Sequence, residues 1–139
     1  MSAFGICRRS LAALSALLVL ASSAGAAEPY EGAWARTPKD CGAADGPTSL
    51  TVIDLKVSVD GKPMPMVEQY ENHCFLEKRT TVGNSTKASA TCYEFWDDFR
   101  KRVNGRKTTI ELSLTSKDVL EIDGKAYRRC PGKAMKKRG

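Results

Sequence analysis

A chain of 139 residues provides for one domain, and its 22 basic residues against 16 acidic ones give a formal charge of +6. The excess sits at the two ends: Arg8 and Arg9 near the start, and Lys133, Lys136, Lys137 and Arg138 near the finish, leave 16 cations and 16 anions for residues 28–130. A neutral central segment excludes a domain-wide nucleic-acid footprint.

Residues 1–27 read as a signal peptide. Arg8-Arg9 form a charged start, Leu11 to Leu20 an apolar run, and Ala24-Gly25-Ala26-Ala27 a small-residue cleavage site. The apolar run falls well short of the roughly 20 residues that span a membrane. Export through the general or the twin-arginine route is equally open, and the expected compartment is the periplasm or the exterior, without a transmembrane segment in the mature chain. Cys7 leaves with the leader. Four cysteines then remain, Cys41, Cys74, Cys92 and Cys130, an even number that argues for two disulfides in an oxidising compartment.

Residues 28–130 read as an all-β domain. Tyr30 to Arg36 places Trp34 in a first strand that ends at Pro38, and Gly42 to Pro47 reads as loop. Ser49 to Leu55 is apolar on both faces and reads as a buried strand, with a short helix as its competitor. Asp60-Gly61 is a hairpin dipeptide, but Pro63 and Pro65 spoil the return arm, which is expected to be a loop or an edge strand. Met64 and Met66 between those prolines are either an exposed apolar edge or gap-fillers of a core.

Gln69 to Val82 and Ser85 to Trp96 read as two arms hinged at Gly83-Asn84, with Cys74 and Cys92 equidistant from Gly83. Asp97 to Gly105 is a polar stretch ending in the hairpin signal Asn104-Gly105. Lys107 to Ser113 is the cleanest strand, alternating Ile110 and Leu112 against Thr109 and Glu111, and Leu120 and Ile122 repeat the pattern before Asp123-Gly124. Lys125 to Cys130 closes the domain, and residues 131–139 read as a basic disordered tail.

No helix is expected between leader and tail. The sum is a small antiparallel meander barrel or sandwich of about six to eight short strands. Four cysteines allow three connectivities. The hairpin arithmetic favours Cys74 with Cys92, which leaves Cys41 with Cys130.

The set Gly32-x-Trp34, Cys41, Glu71-x-x-Cys74, Cys92 before an acidic-aromatic run, and Leu120-x-Ile122 leading to Arg129-Cys130 resembles small exported two-disulfide all-β proteins of α-proteobacteria that have no assigned activity. The resemblance implies fold and compartment but no active site. The general plan is also loosely similar to bacterial metalloprotease inhibitor barrels, from which the second disulfide departs.

Catalytic chemistry finds little support. His73 is the single histidine, no tetrahedral ligand spacing surrounds it, and neither a nucleophile elbow nor a phosphate loop is present. Glu94, Asp97 and Asp98 fit a solvated acidic turn better than a paired acid and base. No catalytic residue, metal or cofactor is therefore assigned. The candidate partner surface is Tyr93, Phe95, Trp96, Phe99, Arg100 and Arg102, with a core role for the aromatics as the plainer reading. The expectation is a monomeric, non-catalytic binding or inhibitory module for a protein or an envelope glycan. The alternative is a barrel carrying a small apolar ligand.

Overall fold

A computed structural model describes residues 28–43 and 46–132. Residues 1–27, expected to be a leader, and residues 133–139 of the expected tail lie outside the described residues. The chain forms β1 (Gly32–Ala35), β2 (Thr51–Asp54), β3 (Ser58–Val59), β4 (Lys62–Pro63), β5 (Met66–Gln69), β6 (Asn72–Val82), β7 (Ser85–Tyr93), α1 (Trp96–Lys101), β8 (Arg106–Ser116), β9 (Val119–Ile122) and β10 (Lys125–Arg129). Eight of the strands close an antiparallel barrel in the order β1-β10-β9-β8-β7-β6-β5-β2, and β3-β4 is a separate small hairpin. The barrel is a meander, as the short alternating runs imply, because neighbours in sequence are neighbours in the sheet.

Inward-facing residues of successive strands meet in one buried cluster: Trp34, Ile53, Val67, Leu76, Ala88, Ala90, Ile110, Leu112, Leu120 and Ile122 among others. Ala88 and Ala90 are small where Trp34 and the leucines are large, which lets the two sides of a narrow barrel interdigitate. Both disulfides form, Cys41 with Cys130 and Cys74 with Cys92. The first ties a 3-10 turn, Pro38–Gly42, to the end of β10 and covers Ala33 and Ala35 on the outside of β1. The second joins directly paired residues of β6 and β7 on the inner face.

Three expectations change. Met66 belongs to a barrel strand, not to a loop or an edge: β5 pairs with β2 and β6, so Pro65 ends just before the ladder begins. Met64 and Met66 are both buried and fill a second cluster outside the barrel. The first arm of the long hairpin starts at Asn72, since Glu71 takes φ 49° and turns the chain between β5 and β6. A helix is present, because the period shifts from 2 to 3.6 after Phe95 and the Asn104-Gly105 pair ends a helical connection where a hairpin was expected.

No helix among the described residues is long and apolar enough to cross a membrane.

Candidate functional site

Strand β7 ends at Tyr93, and α1 crosses the outer face of β6 and β7 before β8 begins. Helix formation here is local chemistry. Asp97 and Asp98 stand in the first turn and Arg100 and Lys101 in the last, matching the helix dipole. Arg102 adopts the left-handed cap conformation, φ 56°, and its N–H donates to the carbonyls of Asp98 and Phe99. The Asn104 side-chain amide donates to Asp98 at 3.3 Å and fastens the exit.

The helical period places Trp96 and Phe99, three residues apart, on one face. Their rings stack at 5.0 Å with planes 14° apart. Tyr93 meets Phe99 edge-on at 5.8 Å, and His73 meets Trp96 edge-on at 5.3 Å. The Arg102 guanidinium lies 4.6 Å from the Phe75 ring centroid. Val59, Met64 and Met66 complete the cluster from the β3-β4 side, and Arg100 faces Asp60 of that hairpin at 3.7 Å. This is a second, external core that fixes α1 on the barrel wall.

Gly105 makes the close fit possible. A Cβ there would approach Tyr93 Cε1 to 2.6 Å, so the chain entering β8 runs against the tyrosine ring. Burial pushes the Tyr93 phenol above its ordinary range; Arg102 opposes that shift and Glu77 adds to it.

The candidate surface therefore divides. Phe99 and Tyr93 are buried and act as its footing; Trp96 is half-buried. Phe95 is 61% exposed, with Arg100 and Arg102 exposed behind it. Strand alternation does not hold past Tyr93, because the helix turns Trp96 back onto the wall and leaves Phe95 outside. The basic run is largely engaged locally: Arg100 with Asp60, Arg102 over Phe75, and Lys101 with Asp97 at 3.9 Å.

Tyr70 is 45% exposed in the β5-β6 turn. The β6-β7 ladder ends with His73 opposite Tyr93, and Glu71 shares a groove with Glu94, which brings the Tyr70 turn to the same end of the barrel. Two polar grooves flank that end. One of about 370 Å³ is lined by Leu50, Val52, Glu68, Tyr70, Glu71 and His73, with Glu68 Oε1 3.6 Å from His73 Nδ1. The other, about 350 Å³, is lined by Glu71, Asn72, Glu94, Asn104 and Arg106 among others.

Catalytic and metal readings gain nothing from these distances. Among the described residues no three histidine, cysteine, aspartate or glutamate side chains converge as a metal site. Asp97 and Asp98 are tied to Lys101 and Asn104, respectively, and Cys74 and Cys92 are consumed by their disulfide. The chain matches no protein-family model, no curated protein and no solved structure.

Proposed function

We propose that this protein is an exported, non-catalytic binding or inhibitory module that recognises a protein or an envelope glycan through the α1 end of its barrel. The observation that carries the reading is Phe95, 61% exposed on a junction whose neighbours Trp96 and Phe99 are stacked at 5.0 Å. A large apolar ring held outward by a rigid base loses little conformational entropy when a partner covers it, which is the property of an interface anchor. Tyr70 and Arg102 at the same end supply further aromatic and cationic contacts of the kinds enriched at interfaces.

Export is supported by the leader pattern together with two disulfides, which persist in oxidising compartments. The carrier reading is weaker because inward residues of seven barrel strands form one buried apolar cluster, against which Tyr127 of β10 packs.

The test is a photo-crosslinking residue placed at position 95 in the producing cells, with the exposed Lys125 at the start of β10 as a control position. A crosslinked protein, or retention on isolated envelope glycan that Phe95→Ala abolishes, supports the reading and distinguishes its two partner classes. Equal labelling from both positions together with unchanged glycan retention of Phe95→Ala would sink it.

A further inference from the structure

The eight strands of the barrel are unequal. β6 has 11 residues while its neighbour β5 has four, and β5 pairs only with Asn72, His73, Cys74 and Phe75. Beyond Leu76, whose N–H donates to the Pro65 carbonyl, the pairing of β6 among the described residues is with β7 alone. Residues Lys78 to Val82 thus form a free sheet edge, and every one of them is exposed.

Hairpin parity identifies which backbone groups face outward. Val82 and Ser85 flank the two-residue turn, so they are the pair that exchanges both backbone bonds. Thr81 opposite Thr86 is then a wide pair with close side chains, consistent with the 2.8 Å contact between their hydroxyls. Arg79 and Thr81 therefore direct their N–H and C=O groups away from β7, off the edge.

We infer that this edge of β6 is a docking strand for an extended acidic segment of a partner protein, which would add to the sheet antiparallel or parallel beside Lys78 to Val82. Its occupant is set by charge. Lys78-Arg79 lead the edge, and the second free edge of the same sheet, at the start of β8, carries Arg106-Lys107. Carboxylates on an incoming strand would meet these cations favourably. The outer face gives the incoming side chains a seat: a concavity of about 590 Å³ is lined by Lys78, Thr80, Val82, Lys87, Ser89 and Glu111 among others, and Lys87 pairs there with Glu111 at 3.0 Å, which leaves the charge contact to Lys78. Val82 at its far end is 77% exposed and offers an apolar contact. Backbone pairing then supplies affinity, and alternate side chains in the concavity supply selectivity.

Amide hydrogen exchange on the exported protein tests this first without a partner. Arg79 and Thr81 exchange at least about tenfold faster than Thr80 and Val82 if the edge is open. Addition of a seven-residue probe peptide alternating glutamate with valine slows Arg79 and Thr81 by a similar factor, and a lysine-valine peptide does not. Thr81→Pro removes an N–H that β7 does not use and abolishes the protection; Lys78→Glu weakens it should the proline variant fail to fold. Protection of both amides in the free protein, equal binding of the two peptides, no binding of either, or binding untouched by both variants overturns the inference.

Discussion

The Arg129 guanidinium lies 4.1 Å from the centroid of the Trp34 ring, joining the last barrel strand to the first. The same side chain donates from Nε to the Lys117 carbonyl at 2.9 Å, from Nη1 to Glu31 at 3.0 Å, and from Nη2 to Pro29. Gly32 yields the space: its φ is 136°, and a Cβ there would stand 3.0 Å from Arg129 Nη1. One fork thus holds the segment before β1, the β8-β9 turn and the face of Trp34, whose own indole N–H donates to Tyr30 at 2.9 Å. Lysine cannot reproduce a planar fork. Arg129→Lys is expected to lower the unfolding free energy by about 2–3 kcal/mol, from lost hydrogen bonds and cation–π contact together. Urea denaturation with tryptophan emission as the probe measures it.

Gly105→Ala is expected to destabilise by about 1–3 kcal/mol, the cost of overpacking, because the new methyl meets the Tyr93 ring at 2.6 Å from Cε1. The β7-α1-β8 connection has to shift to accept it. Hydrogen exchange of the Phe99 and Arg102 amides should rise in this variant more than exchange of the Leu112 amide in the main core.

Tyr93 makes stability fall at alkaline pH. Its folded-state pKa is raised, chiefly by burial, so the folded state holds the phenolic proton more tightly than the unfolded chain. The associated stability is fully present below the unfolded value of about 10 and is lost as pH rises through the higher folded value. Tyr93→Phe should flatten the decline in urea midpoint above pH 10, and the late-titrating component of tyrosinate absorbance should vanish with it.

The two disulfides should contribute unequally. Cys41–Cys130 closes a separation of 89 residues and Cys74–Cys92 one of 18. On the chain-entropy account, paired serine replacement costs about 4–5 kcal/mol for the first and about 3 kcal/mol for the second. Thermal unfolding of the two double variants, compared at one pH, checks the order.

Much of the barrel was legible because its strands alternate and its turns carry strong chemistry. Asp60-Gly61 and Asp123-Gly124 take positive φ, as the hairpin dipeptides require. Ile110 and Leu112 face inward as their alternation indicates. The Cys74–Cys92 pairing came from counting symmetrically about Gly83, and the structure reaches that pairing by another route. The turn is centred between Gly83 and Asn84, which alone would set Cys74 opposite Tyr93. A bulge between Leu76 and Lys78 removes one residue from the ladder and restores Cys74 to Cys92. Glu77, the extra residue, accepts a hydrogen bond from Thr91 Oγ1 at 2.8 Å. A bulge of this kind leaves no compositional trace.

The helical turn inside the candidate surface was not legible, because six helical residues give too little sequence for a 3.6 period to declare itself against a strand. The burial of Phe99 and Tyr93 depends on Met64, Met66 and Phe75, up to 35 residues earlier in the chain. The Trp34–Arg129 closure is likewise a contact between opposite ends of the domain, which no local pattern encodes.

If Phe95 anchors a partner while Phe99 holds the anchor in place, paired alanine variants separate the two roles. Phe99→Ala should lose about 3–5 kcal/mol of stability, as for a buried aromatic, whereas Phe95→Ala should stay within about 0.5 kcal/mol of wild type. The direct measurement is the affinity of Phe95→Ala for the partner or glycan captured at position 95. A loss of about thirtyfold or more, equivalent to about 2 kcal/mol, with unchanged folding is the predicted result. Wild-type affinity in a folded Phe95→Ala protein would contradict the account.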